Sequence, residues 1–157
     1  MSAPEIGVAA WDDPDVQRLT AAQQVELRER YDGAGEPGVP PSAADVSVVL
    51  VARSATGEAL GCGALRHLGD DVAEVKRMYV VPEARGRGVS KALLAGLEAA
   101  ACARLWTTLR LETGPRQPEA VKLYERAGYR RIEAFGAYVG AADPELSLFF
   151  ERVLDGV

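Results

Sequence analysis

A glycine-rich turn between a strand and a helix constrains the fold of this chain more than any other stretch of its sequence. The segment reads VVPEARGRGVSK over residues 80–91. The apolar residues up to Val81 are typical of a strand, and a helical period begins at Val89. Gly86 and Gly88 let the backbone turn sharply and approach a ligand closely. The segment therefore predicts a strand, a tight turn and a helix that begins at the turn.

The same turn carries the charge pattern of an anion site. A helix N-terminus presents unpaired N–H groups and a partial positive charge, both of which attract a phosphate. Arg85, Arg87 and Lys91 add positive charge with no acidic residue between them. A nucleoside-triphosphate loop would need Gly-Lys-Ser/Thr, which is missing here. A dinucleotide fingerprint would open a unit of parallel strands, whereas the strands before this turn are predicted to form an antiparallel meander.

Strands and helices alternate along the rest of the chain in a single run without repeats. Strands are predicted where Val-rich apolar runs lie between turn residues, and helices where apolar residues recur every three or four positions. The predicted strands are 6–8, 46–52, 58–67, 72–81, 105–112, 129–135 and 146–152, and the predicted helices follow Asp13, Gly88 and Gln117. A loop rich in Gly and Pro occupies residues 32–44. This order predicts one α/β (α+β) domain over residues 1–157, with a mixed, mostly antiparallel sheet flanked by helices.

Composition limits the partners of such a domain. The 157 residues carry 18 Lys and Arg against 23 Asp and Glu, a net charge of -5. A general nucleic-acid binder would carry a basic face, so this balance argues against that class. No apolar run reaches the roughly 20 residues that span a membrane, and no secretory signal is visible. We therefore expect a soluble cytoplasmic protein that binds neither nucleic acid nor a membrane.

Three segments, in this order and at this spacing, resemble the GNAT superfamily of N-acetyltransferases. The family's pyrophosphate loop, Arg/Gln-x-x-Gly-x-Gly/Ala, is matched by residues 85–90, with Ser90 in place of the last Gly or Ala. Residues 74–82 are similar to the family's splayed central strand, and residues 120–129 are similar to its second signature. The run over residues 111–120 also resembles a small bacterial subgroup whose acceptors are mostly unassigned.

The resemblance is closest over residues 46–135, and it implies a GNAT-like fold with a splayed central strand and acetyl-CoA as co-substrate. The residues that it places against the cofactor are Met78, Val80, Arg85, Gly86, Arg87, Gly88, Val89, Ser90 and Gln117. The backbone of Met78 and Val80 would hold the pantetheine arm and help to polarise the thioester carbonyl. Gln117 stands where many members of the family have Asn.

Two residues are candidates for proton transfer. The resemblance places Tyr124 near the cofactor sulfur, where its hydroxyl would return a proton to the thiolate, although periodicity alone favours a packing role. Glu74 stands where many members have a glutamate that acts as general base, directly or through water. An ion pair with Lys76 or Arg77 explains Glu74 equally well. Glu36 could face the acceptor amine, but nothing in its spacing distinguishes it from a solvated loop acid.

Neither cysteine is expected to take part in catalysis. Cys62 and Cys102 form neither a disulfide framework nor a metal-binding motif, and no metal site is predicted. In the GNAT family the amine attacks directly in a ternary complex, without a covalent enzyme intermediate. Both cysteines are therefore interpreted as apolar thiols.

The acidic start of the chain indicates the acceptor. Residues 1–45 carry three arginines against nine acids. In the GNAT fold the first helix and the following loop wall the acceptor side, so we expect acetylation of a primary amine on a small cationic molecule. A solvated helix would explain the same charges. Two alternatives stay open, a protein N-terminus or lysine as acceptor and a non-catalytic acyl-CoA sensor. GNAT proteins are often dimers, so a homodimer paired through the C-terminal strands is a further expectation.

Overall fold

Between residues 3 and 154, seven strands and three helices follow one another in the order predicted from the sequence. A computed structural model describes residues 3–154. The strands are β1 (Glu5–Val8), β2 (Val46–Arg53), β3 (Ala59–Gly69), β4 (Val72–Val80), β5 (Thr108–Thr113), β6 (Arg130–Ile132) and β7 (Leu148–Val153), and the helices are α1 (Pro14–Arg30), α2 (Val89–Ala103) and α3 (Pro118–Arg126). Within the described residues, no helix combines the length and the apolar character needed to cross a membrane.

Local sequence signals account for the helix ends. Asp13 caps α1, since its Oδ1 accepts a hydrogen bond from the backbone N–H of Asp15 at 2.8 Å, and Pro14 occupies the first helical position. Helix α3 likewise begins with proline, Pro118, and Gly128 just beyond its end has a φ of 94°. Such a left-handed residue ends a helix at little cost when it is glycine.

All seven strands form one sheet in the order β1-β2-β3-β4-β5-β7-β6. Strands β1 to β4 pair as an antiparallel meander, and β7 lies antiparallel between β5 and β6. The single parallel pair joins β4 to β5. The predicted mixed, mostly antiparallel sheet is therefore confirmed, and its one parallel pair lies at the centre.

Helices cover both faces of the sheet. In β2, Leu50 points toward the core cluster that includes α2, whereas Val49 and Val51 pack with Val16 and Leu19 of α1. This alternation follows the two-residue period of a strand, so one apolar run serves two cores. A third cluster of Phe135, Tyr138 and Phe149 lies beyond β5.

Strands β5 and β6 differ most from their predicted bounds, whereas the bounds of the other five strands agree to within two residues. Strand β5 begins at Thr108 rather than Leu105, because a turn at Arg104 and Leu105, the latter with a φ of 61°, follows α2. Strand β6 ends at Ile132 rather than Phe135, and Phe135 instead packs against aromatic side chains of the third cluster. Apolar character predicted the strands, but the turn geometry set their ends.

Candidate active site

The two parallel strands at the centre of the sheet diverge. Their ladder consists of three pairs, which join residues 72–74 of β4 to residues 108–110 of β5. Strand β4 continues to Val80 and β5 to Thr113 without further pairing to one another. Backbone groups along the separated ends are consequently free to meet other partners. This is the splayed central strand that the family resemblance implied.

A β-bulge bends β4 just beyond the point of divergence. The register of β3 against β4 shifts so that Gly63 faces two residues, Arg77 and Met78. Arg77 adopts a φ of 57°, a left-handed conformation that costs a non-glycine residue about 1–2 kcal/mol. Bulges of this kind increase the local twist and redirect side chains.

Two backbone carbonyls of the diverging strand β4 accept hydrogen bonds from side chains. The Met78 carbonyl accepts a hydrogen bond from Nε2 of Gln23 at 2.8 Å. The Val80 carbonyl accepts one from Nε of Arg85 at 3.0 Å. Gln23 belongs to α1, so these bonds tie the first helix and the turn before α2 to the splayed strand.

A cavity of about 470 Å³ opens where the strands diverge. It is walled by α1 and the loop after it, by β4 and β5, by the turn before α2, by the start of α3 and by the segment before β7. We call residues 85–90 the glycine end of this cavity. We call Glu36, Lys76, Arg77 and Glu112 its charged end; all four line the cavity.

The glycine end presents backbone rather than side chains. Gly86 and Gly88 both have a φ of 79°, and Gly88 is the N-cap of α2. No heavy atom lies within 4 Å of a Cβ placed on either glycine, so open space faces both of them. Val89 and Ser90 begin the helix and also line the cavity. The unpaired N–H groups of this first turn suit a phosphate, so the residues present fit the pyrophosphate of a CoA molecule.

Two basic residues predicted to hold the cofactor are placed differently from one another. Arg85 lines the cavity, but its Nη2 lies 2.8 and 3.1 Å from the two carboxylate oxygens of Glu26 on α1. Its guanidinium therefore joins α1 to the turn. Arg87 is exposed and does not line the cavity. Its positive charge would therefore attract a ligand from outside the cavity.

Tyr124 reaches the cavity from α3. The ring is buried and packs against Tyr129 and Phe150, at centroid distances of 5.7 and 6.4 Å. Its hydroxyl makes no hydrogen bond to any described residue. Burial, followed by the charge of Glu112, raises the pKa of Tyr124 well above the ordinary value for tyrosine. The hydroxyl is thus a protonated group beside the cavity.

Gln117 is held by a residue that the sequence analysis did not select. Tyr31, at the end of α1, donates a hydrogen bond from its hydroxyl to Oε1 of Gln117 at 3.0 Å. A Cβ on Gly114 would overlap that hydroxyl, so only glycine allows Tyr31 to approach this closely. Tyr31 and Gln117 both line the cavity.

At the charged end, the carboxylate of Glu36 forms ion pairs with two basic side chains. Glu36 lies on the loop after α1, with one oxygen 3.4 Å from Nζ of Lys76 and the other 3.1 Å from Nη2 of Arg77. The Nε of Arg77 is buried and has no hydrogen-bond partner among residues 3–154. A buried donor without a partner costs about 1–3 kcal/mol. Glu36 therefore lines the cavity, and its carboxylate forms ion pairs with Lys76 and Arg77.

Glu74 is placed in a buried ion-pair network instead of the cavity wall. Its side chain is 1% exposed, and its Oε1 accepts from Nη2 of Arg66 at 3.0 Å. Its Oε2 accepts a short hydrogen bond from the hydroxyl of Tyr138. Nζ of Lys76 lies 3.9 Å from the same oxygen. Glu74 is absent from the cavity lining, so the arrangement matches the ion-pair explanation that the sequence left open.

Glu112 is the titratable group that the sequence analysis missed as a site residue. It lies near the end of β5 and lines the cavity. Burial raises its pKa to about 7, against the opposing effects of a hydrogen bond with Ser147 and the charge of Lys76. A carboxyl with this pKa can exchange a proton near neutral pH. The sequence did contain one indication of this site, since Glu112 stands at the carboxyl end of the strand predicted before Gly114.

Nine of the eleven residues predicted for the site line one cavity. They are Met78, Val80, Arg85, Gly86, Gly88, Val89, Ser90, Gln117 and Tyr124. Glu74 and Arg87 lie outside the lining. Of the cysteines, Cys62 is buried, with its pKa raised by burial to about 12, and Cys102 is partly buried. Neither lines the cavity.

Similarity to known proteins identifies the class of this chain. Residues 45–131 match the acetyltransferase (GNAT) domain family. An IAA acetyltransferase of Azospirillum brasilense is 36% identical over 140 residues, which cover 84% of this chain and 89% of that protein. The chain therefore belongs to the GNAT family of acetyltransferases, and the co-substrate of this family is acetyl-CoA.

Solved structures agree with this assignment. A protein of Klebsiella pneumoniae, provisionally described as an acyl-CoA N-acyltransferase, superposes with a TM-score of 0.82 at 38% identity, covering 96% of this chain and 97% of its own. A GNAT family acetyltransferase of Elizabethkingia anophelis, determined with acetyl-CoA bound, has the same fold with a TM-score of 0.71 at 16% identity, covering 98% and 100%. The predicted family, fold and enzyme class are confirmed.

Proposed function

We propose that this acetyltransferase acetylates the primary amine of a small molecule by direct attack in a ternary complex. One observation carries the proposal. A single cavity at the divergence of β4 and β5 brings together the glycine end, Tyr124 from α3 and Glu112 from β5. It thus combines a phosphate-binding turn, a proton donor and a proton acceptor.

Acetyl-CoA, when bound, supplies the acetyl group and leaves as CoA. In this proposal the N–H groups at the start of α2 hold its pyrophosphate, and the backbone near Met78 and Val80 orients its arm. The hydrogen bond from Tyr31 fixes the amide of Gln117 beside the same arm. These contacts come from backbone and neutral groups, which hold a flexible ligand in place for attack.

Glu112 is the proposed proton acceptor. An amine is protonated at neutral pH and cannot attack as an ammonium ion, so a base must remove one proton. Glu112 lines the cavity and has its pKa raised by burial to about 7, whereas Glu74 is held by Arg66 and Tyr138 outside the lining. We therefore assign the base to Glu112, and we propose that Glu74 positions Lys76.

Tyr124 is the proposed proton donor to the leaving sulfur. Its raised pKa keeps the hydroxyl protonated throughout the physiological range. A thiolate that forms in the same apolar surroundings has a raised pKa too, as the buried thiol of Cys62 illustrates. Burial thus affects donor and acceptor in the same direction, and proton transfer between them remains feasible.

The positive charge of the acceptor is proposed to be that of its ammonium group. Five of the nine acidic residues that motivated a more cationic molecule form ion pairs with arginine or lysine side chains. Asp15 contacts Arg18 and Arg53, and Glu26 contacts Arg85. A cationic acceptor, a homodimer and a cytoplasmic location stay predictions, as do the two alternative functions.

The test is release of free CoA across a panel of amines, with polyamines, aminoglycosides, amino acids and short peptides. Tyr124→Phe should lower kcat by about 100-fold, because the general acid is lost, while the Kd for CoA is unchanged. Tyr129→Phe is the matched control, since its hydroxyl donates to Glu98 and lies outside the cavity lining.

Each outcome of this test has a definite reading. Unchanged turnover by Tyr124→Phe would remove Tyr124 from its role. Tight CoA binding with no release from any amine would contradict the proposed activity and favour the sensor. Release with peptides alone would move the acceptor to a protein N-terminus or lysine.

A further inference from the structure

Arg77 has fewer partners than its burial demands. Its side chain is 13% exposed and lines the cavity. Among residues 3–154, the one recorded partner of its guanidinium is Glu36, at 3.1 Å from Nη2. The Nε is buried without a hydrogen-bond partner. An arginine offers five N–H donors in a planar fork, so donors beyond the contact with Glu36 remain for a ligand in the cavity.

Charges alternate along a chain of ion pairs that ends at Arg77. The members, in order from the partly exposed Asp45 through the buried Glu74 to the cavity, are Asp45, Arg66, Glu74, Lys76, Glu36 and Arg77. Each inner member lies between two groups of opposite charge, whereas Arg77 has only one such neighbour. The next group in this series would be an anion, and it would lie in the cavity.

The backbone also favours a functional role for Arg77. Its φ of 57° places a non-glycine residue in the left-handed region, at the bulge where β4 turns away from β5. Strained residues of this kind cluster at ligand sites, where the surrounding structure holds them in place. The bulge thus fixes a long cationic side chain beside the point of divergence.

We infer that the acceptor carries a carboxylate as well as its primary amine, and that Arg77, supported by Lys76, binds this carboxylate. The inference rests on the proposed function and specifies its substrate class as amino acids with a free carboxyl group. The guanidinium fork matches the two oxygens of a carboxylate. Glu36 shows that a carboxylate is accommodated here, since its two oxygens contact Lys76 and Arg77.

Opposite charges at this end then orient the acceptor. Arg77 and Lys76 would hold the carboxylate, and Glu112, which lines the same cavity, would receive the ammonium. A molecule with both groups binds in one direction, with its amine toward the proton acceptor. A polyamine would place a second positive charge against Arg77 and Lys76, which is unfavourable.

The experiment compares matched amines. Several amino acids, both α-amino and ω-amino, are each tested beside their carboxamide and their decarboxylated amine, with CoA release as the readout. For the best amino acid, kcat/KM should exceed that of its carboxamide by about 10- to 100-fold, the value of charge-assisted hydrogen bonds. In Arg77→Gln this ratio should fall close to one, and Arg77→Lys should restore part of it because the charge returns without the fork.

Two controls distinguish the loss of a carboxylate-binding site from unfolding and from a change in the net charge of the protein. Arg18→Gln removes the same charge from α1, where the side chain is 61% exposed, and should leave the ratio unchanged. The Kd for CoA should be the same in all variants. A carboxylic acid that lacks the amine should inhibit the wild type competitively and should lose that inhibition in Arg77→Gln.

The outcomes distinguish this inference from the proposed function. If carboxamides and plain amines react as fast as the free amino acids, or if Arg77→Gln keeps the ratio, the inference is wrong and the acetyltransferase assignment stands. If the wild type releases CoA with none of the amines, the proposed function is contradicted, and the inference with it.

Discussion

The two ends of the cavity are built by different means. The glycine end comes from one continuous stretch, and the groups proposed to bind the cofactor there are backbone N–H groups at the start of α2. The charged end draws its four members from the loop after α1, from β4 and from β5, and it acts through side chains. In the proposed function this backbone site binds CoA, the co-substrate that the whole family shares. Side-chain charges are what can distinguish one acceptor from another.

The largest expected effect distinguishes the two candidates for the general base, Glu112 and Glu74. Glu112→Gln should lower kcat/KM by about 10²- to 10⁴-fold, because the proton acceptor is lost. In the wild type kcat/KM should rise with pH through about 7, where Glu112 becomes ionised, and in the variant this limb should vanish. Steady-state rates between pH 5.5 and 9 measure both.

Glu74→Gln is the contrasting variant. It leaves Arg66 buried with a weaker partner, and breaking a buried pair costs about 3–5 kcal/mol of unfolding free energy. Its Tm should fall while the limb near pH 7 persists. If the rise of kcat/KM near pH 7 disappears in Glu74→Gln, or persists in Glu112→Gln, then Glu74 and not Glu112 is the general base.

Stability gives a second readout for Glu112. Because its folded pKa is raised above the unfolded value, the folded state loses stability as pH rises through about 7. The glutamine variant lacks this loss, so its Tm relative to the wild type should be higher at pH 8.5 than at pH 5.

The next effect tests the backbone character of the glycine end. Gly88→Val should weaken CoA binding by about 100-fold, equal to about 2.8 kcal/mol, because valine disfavours a φ of 79° and would crowd the phosphate. Isothermal titration calorimetry measures the Kd. Gly57→Val is the matched control, since Gly57 has a φ of 87° and open space around it but lies in the turn between β2 and β3. Equal losses in both variants would mean that strain alone is responsible.

The same contrast explains what the sequence could and could not predict. The turn before α2 is local, so the spacing of Gly86 and Gly88 predicted both the helix start and the anion site. Element order and the antiparallel meander also followed from local patterns. The roles proposed for Lys76, Arg77 and Glu112 depend on the bulge in β4, where Gly63 faces residues 14 and 15 positions away, and on the divergence from β5, whose paired residues are 36 positions apart. Local patterns do not contain that information.

Glu74 shows that the surroundings of a residue depend on the fold. A family resemblance assigns a role to a position, but the charge environment of that position comes from the fold. Arg66 and Tyr138, eight and 64 residues away, contact its carboxylate and hold it outside the cavity wall. These contacts agree with the ion-pair interpretation, although the close partner is Arg66 rather than Lys76 or Arg77, and the catalytic role of Glu74 stays a prediction.

The smallest expected effect concerns the hydrogen bond between Tyr31 and Gln117, which both line the cavity. Tyr31→Phe removes the hydrogen bond to Gln117, worth about 0.5–1.5 kcal/mol, and should weaken CoA binding by about 2- to 10-fold with kcat nearly unchanged. Gly114→Ala should act in the same direction and more strongly, because its Cβ would overlap the Tyr31 hydroxyl and displace the ring. If Gly114→Ala weakens binding and Tyr31→Phe does not, the packing of the ring matters and the hydrogen bond to Gln117 does not. If both leave the Kd unchanged, Gln117 has no part in holding the cofactor, and the backbone of the glycine end and of β4 suffices.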